Sequence, residues 1–76
     1  MRIFLGGHLS YYQTDKSRWL EVTLKEPAPL IDILNNAGIP TGEISLVVHN
    51  GVLADLQETI VSQGDELRLF SPIGGG

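Results

Sequence analysis

The chain has 76 residues and no cysteine, which leaves room for one small domain and excludes disulfides, iron–sulfur ligation and thiolate zinc sites. Hydrophobic residues make up 42 % and charged residues 18 %, the composition of a folded domain rather than a disordered tail. Five Lys and Arg against nine Asp and Glu give a formal charge of −4, which argues against a nucleic-acid surface and for basic protein partners.

In chain order, residues 2–5 alternate, with Ile3 and Leu5 to one side and Arg2 and Phe4 to the other, the period of a strand. Gly6-Gly7 loosens it. The polar stretch from Tyr11 to Ser17 carries no two-residue hairpin signal, so an irregular connection is expected. Residues 18–24 alternate again, Leu20, Val22 and Leu24 opposite Trp19, Glu21 and Thr23.

Pro27 and Pro29 suit a helix start, because the fixed φ of proline matches the first turn. Leu30, Ile33, Leu34 and Ala37 then recur at i, i+3, i+4 and i+7, and Gly38 followed by Pro40 is a helix stop. Residues 44–49 are β-rich and lead into Asn50-Gly51, the pair favoured in type I′ hairpins because both central positions need positive φ. Val52 and Leu53 begin the return strand. Gln63-Gly64-Asp65 forms a turn before residues 66–71, where Leu67 and Leu69 face one way and Arg68 and Phe70 the other; Pro72 closes that strand.

This order predicts an α+β domain over residues 1–72, with one main helix packed on one face of a mixed sheet of four to five strands. With the leucines turned to the helix, Phe4, Val47 and Phe70 fall on the open face beside Arg68, and Trp19 is a further candidate. An exposed apolar surface rimmed by charge marks a partner-docking site. No apolar run approaches the roughly eighteen residues of a membrane span, and Met1-Arg2-Ile3-Phe4 is not a signal peptide. A cytoplasmic protein, monomeric when free and without membrane or nucleic-acid partners, is expected.

Rival sites are weak. His8 and His49 are far apart with no carboxylate at ligand-like spacing, so no metal site is expected and both are taken as ordinary surface or loop residues. Asp65 and Glu66, as neighbours on a strand, point to opposite faces, which favours a turn role over a catalytic pair. Gly6-Gly7 lacks the phosphate-loop pattern.

The segment 73–76 is Ile73-Gly74-Gly75-Gly76. Three glycines have nothing to pack and high backbone entropy, so this stretch is expected to be a flexible arm rather than part of the fold. Four residues reach at most about 13–14 Å, and without Cβ atoms they can thread a narrow channel. An α-carboxylate on Gly76 would be ionised at neutral pH and a poor electrophile. Transfer onto the α-phosphate of ATP would make an acyl-adenylate, which a sulfur nucleophile can attack to leave a terminal thiocarboxylate.

The run from Gly64 to Gly76, a Gly-Asp-Glu turn, an apolar strand, the Ser71-Pro72 link and terminal glycines, resembles the end of the molybdopterin synthase small subunit and thiamine sulfur carrier family. The Val47-Val48-His49-Asn50-Gly51 hairpin is similar too, so the resemblance is sharp over residues 44–76 and pattern-level before them. It implies a β-grasp, ubiquitin-like fold and a ubiquitin-activating-type enzyme that adenylates Gly76, with Gly74 and Gly75 giving access. It also implies docking through the open face, with Phe70 at the interface aromatic position. The chain would then be a carrier and not an enzyme, without a cofactor of its own, since the activating partner uses the ATP. The sulfur would pass to a synthase such as the molybdopterin synthase large subunit. Pro72 is closer to the molybdopterin branch than to the thiamine branch, while Gly74 departs from many relatives. A thiamine or other sulfur-transfer carrier, a protein modifier and a noncovalent adaptor share the same fold and remain alternatives.

Overall fold

The computed structural model describes residues 1–72, so the expected arm, with Gly74, Gly75 and Gly76, lies outside them. Among the described residues the strands are β1 (Arg2–Leu5), β2 (Trp19–Glu21), β3 (Ala28–Pro29), β4 (Leu46–His49), β5 (Val52–Ala54), β6 (Ile60–Val61) and β7 (Glu66–Phe70), with helix α1 (Leu30–Asn36) after β3. The main sheet has the order β2-β1-β7-β4-β5, and β3 pairs with β6 in a separate two-stranded ribbon.

The alternation in β1 and β7 decides the architecture. These two strands pair in parallel at the centre, Ile3 beside Leu67 and Leu5 beside Leu69, while every other pairing in the main sheet is antiparallel. A parallel pair needs a long crossover, and the segment holding α1 supplies it. Ile3, Leu5, Leu67 and Leu69 are each fully buried, a contribution of about 1.5–3 kcal/mol apiece. The two central strands therefore carry much of the core.

Helix α1 has only seven residues, too few to be stable alone. It is held by burying Leu30, Ile33 and Leu34 against the sheet and by its two ends. Leu30 N–H donates to the Thr59 carbonyl at 3.0 Å. At the C-terminus Gly38 takes φ +76°, Gly38 N–H bonds the Asn35 carbonyl at 3.2 Å, and Ile39 N–H bonds that of Leu34 at 2.9 Å. This is a Schellman motif, and the buried Ile39 supplies its hydrophobic contact. A mixed five-stranded sheet with one helix on one face is the β-grasp arrangement that the resemblance implies.

One facing is corrected. Val47 pairs with Leu69, and cross-strand partners share a face, so Val47 points to the core and is only 3 % exposed. Val48, opposite Arg68, takes its place on the open face. Leu46, Val47 and Val48 are all apolar, so the sequence offers no alternation to set the phase of this strand. Four further elements were not expected, the two-residue strands β3 and β6 among them. Short 3₁₀ turns form at Leu9–Tyr12 and Thr41–Glu43, the first pegged to the core by the fully buried Leu9.

Candidate functional site

The strand register builds one row across the open face: Trp19, Phe4, Arg68, Val48 and Leu53 lie opposite one another in turn. The Phe4 ring meets Trp19 edge-on at 5.2 Å between centroids and Phe70 at 6.1 Å. Arg2 places its guanidinium 3.8 Å from the Trp19 ring centroid, and Arg68 stands 5.8 Å from Phe4 and 5.7 Å from Trp19. Glu66 reaches both cations, Arg2 at 3.5 Å and Arg68 at 3.2 Å. Exposed pairs of this kind add little stability; their effect is to hold the two guanidinium groups along the aromatic row. Leu46 at 42 % and Leu53 at 68 % exposed extend the apolar surface toward the β5 edge. Aromatic rings with arginine are the residues that dominate protein-docking surfaces.

Phe70 ends β7, and the chain from Leu69 to Ser71 is held from two sides. Ser45 donates to the Phe70 carbonyl through its backbone N–H at 2.8 Å and its hydroxyl at 3.2 Å. On the other side Gly6 N–H donates to the Leu69 carbonyl at 2.7 Å, and His8 N–H to the Ser71 hydroxyl at 3.2 Å. The two flanking segments meet at Glu43, whose Oε1 accepts the Tyr12 O–H at 2.9 Å and lies 3.9 Å from His8 Nε2. That hydrogen bond is the main reason the Tyr12 phenol is raised above its ordinary pKa.

A third cluster clamps the opposite end of the sheet. Asn50 and Gly51 both have positive φ, +50° and +85°, as the type I′ turn requires. Asp65 lies 2.8 Å from His49 Nε2, accepts the Asn50 amide at 3.1 Å and accepts Ser62 N–H at 2.9 Å. These contacts, the His49 hydrogen bond first, hold its carboxyl down at about 2. The ionised carboxylate only accepts, so the shared proton sits on His49 Nε2. The expected turn role of Asp65 takes this form, and His49 is corrected from an ordinary surface residue to its partner. His8 is likewise tied to the tail root.

Of the sequence-derived docking residues, Phe4, Arg68 and Phe70 come together on the open face and Val47 does not; Gly74, Gly75 and Gly76 lie outside the described residues. Sequence reasoning missed Arg2, Glu66 and Glu43. Arg2 and Glu66 share the parity of Phe4 and Arg68, which was the available signal. Glu43 had none. On the helix side, a shallow groove of about 360 Å³ between Val22, Leu24, Ile33 and Ala37 offers no titratable side chain. Among the described residues no group of three His, Asp or Glu side chains could hold a metal, and no helix is long and apolar enough to cross a membrane.

A family model described as the ThiS family matches residues 11–76, most of the chain and every element after the first strand and its loop. No curated protein matches the sequence.

Proposed function

This chain belongs to the ThiS family of ubiquitin-like sulfur carriers, and from that premise we propose that its reacting group is the carboxylate of Gly76, converted to a thiocarboxylate for molybdenum or tungsten cofactor synthesis. In the first step a carboxylate oxygen attacks the α-phosphorus of ATP, forming the acyl-adenylate and releasing pyrophosphate. In the second, hydrosulfide or an equivalent sulfur donor attacks the acyl carbon, the acyl–oxygen bond breaks, and AMP leaves. The thiocarboxylate sulfur then attacks an electrophilic carbon of an acceptor on a synthase, displacing that carbon's leaving group to form a thioester, and water hydrolyses the thioester, leaving the sulfur on the acceptor as a thiol and restoring the carboxylate. The partner enzymes supply this chemistry. The chain supplies a thin substrate arm, residues 73–76, and a face by which to be recognised.

The observation that carries the reading is continuity: the family match runs through residue 76, and the aromatic row of the open face includes Phe70, six residues before it. An enzyme docked on that row would have the arm directly at hand, within the roughly 13–14 Å that four residues span. Pro72 supports the molybdopterin branch. Incubation with ATP, an activating enzyme and a sulfur source should add the mass of one oxygen-to-sulfur exchange at Gly76, and removal of Gly76 should abolish it. Exchanging the acceptor synthase then separates a pterin product from the thiazole of thiamine. A covalent ladder on target lysines would instead establish a protein modifier.

A further inference from the structure

On the sulfur-carrier reading, a short reacting arm is useful only when its starting point is fixed relative to the docking face. Each residue that frays from the end of β7 would move that starting point by roughly 3.3–3.6 Å, about a quarter of the length of the arm. The aromatic row is held by the pairings of β1 with β2 and β7. Leu69 and Phe70 are held by the sheet as well, paired with Leu5, Val47 and Leu46, but where the chain leaves β7 the further bonds come from Gly6 and His8 on one flank and Ser45 on the other. Those flanks belong to segments more than thirty residues apart in sequence. Among the described side chains, Glu43 is the one seen to join them, through the Tyr12 hydroxyl and beside the His8 ring. The His8 ring in turn rests edge-on against Tyr11 at 5.8 Å.

We propose that Glu43 is a positioning residue for activation of the tail: by tying the Leu9–Tyr12 turn to the Thr41–Glu43 turn, it closes a collar around residues 69–71 and fixes where the arm leaves the sheet. The inference rests on the sulfur-carrier reading for the reaction it serves, but the collar itself is a property of the free domain. The polar contacts of Glu43 go to Tyr12 and His8, and Phe70 keeps its own sheet pairing with Leu46, so loss of Glu43 leaves the docking row in place and misplaces the reacting end. Misplacement of about 1 Å is enough to slow a reaction between bound groups. The effect therefore belongs in kcat and not in KM.

The test uses the full chain with its adenylating enzyme and follows ATP–pyrophosphate exchange against carrier concentration. Glu43→Ala and Tyr12→Phe should each lower kcat by roughly three- to tenfold with KM unchanged. Glu43→Gln, whose amide oxygen still accepts the Tyr12 hydroxyl, should keep most of the rate. In the free domain, Glu43→Ala should speed amide exchange at Ser45 and His8 by a similar factor while Leu5 and Leu69 keep their protection. Unchanged kcat in Glu43→Ala, a change confined to KM, an equal loss in Glu43→Gln, or unaltered exchange at Ser45 and His8 would each overturn the proposal. A wild-type chain that supports no exchange with an active enzyme overturns the carrier reading and the role of Glu43 in activation together; the amide measurement then decides separately whether the collar exists.

Discussion

The ring of Phe70 lies against the bare Cα of Gly6: a Cβ built on Gly6 would stand 2.5 Å from Phe70 Cδ1, 2.8 Å from Cε1 and 2.9 Å from the Leu69 carbonyl oxygen. A glycine is required there by close approach, since its backbone N–H also bonds that carbonyl. Gly6→Ala must push the ring outward and strain the pairing of β1 with β7, a cost of about 1–3 kcal/mol. Urea unfolding measures it. The double variant Gly6→Ala with Phe70→Ala should recover part of the loss but not all, because the Leu69 carbonyl remains. Full additivity of the two single losses would show that the ring and the glycine do not interact.

Phe70→Ala should leave the domain folded. The ring is only half-buried, so truncation should cost about 1–2 kcal/mol rather than the roughly 3–5 kcal/mol of a core phenylalanine. Docking should suffer more, with KM for the activating enzyme raised at least about tenfold if Phe70 anchors the interface. A large loss of stability with unchanged KM would move Phe70 from the docking face to the core.

Val47 and Val48 separate the two faces of β4. Val47→Ala opens a cavity beside Leu69 and should cost about 2 kcal/mol of stability with little effect on docking. Val48→Ala should cost under about 1 kcal/mol and raise KM. Thermal unfolding and enzyme titration of the pair would expose a wrong register at once, because a shift of one residue exchanges their behaviour.

The Asp65 contacts predict a pH dependence with a definite sign. Its carboxyl titrates at about 2 in the fold, below the ordinary 3.8, so the unfolded chain takes up the proton first as pH falls. The stabilisation is present above about pH 4 and is lost as pH falls from there through about 2, an amount on the order of 1–2 kcal/mol after solvent screening. Asp65→Asn should be less stable than wild type near pH 7 by that amount, and the difference should shrink as pH falls and vanish only below about pH 2. A difference that persists at the acid end would mean that charge is not what Asp65 contributes.

Much of the fold was legible because period and punctuation agreed. The alternation of Ile3 and Leu5 and of Leu67 and Leu69 placed the central strands, Gly38 marked the helix stop, and Asn50-Gly51 marked the hairpin. The phase of β4 was not legible because Leu46, Val47 and Val48 present no polar residue to break the symmetry. The two-residue strands β3 and β6 are too short to carry a period. On the open face, strand parity identified Phe4, Arg68 and Phe70, but the stacking of Arg2 on Trp19 depends on the cross-strand register. The clamp of His49 with Asp65 and the bridge of Tyr12 to Glu43 join residues 16 and 31 positions apart. No local pattern encodes such pairs; they exist only once the sheet has brought the loops together.

The central claim is that Gly76 carries sulfur, and the most direct test is the intact mass of the protein purified from its own cells, followed by fragmentation of the C-terminal peptide. The account predicts a population heavier by one oxygen-to-sulfur replacement, placed by the fragments on the carboxyl group of Gly76. A terminus that stays a plain carboxylate while the adenylating enzyme is active, or one found joined to lysines of other proteins, would contradict it.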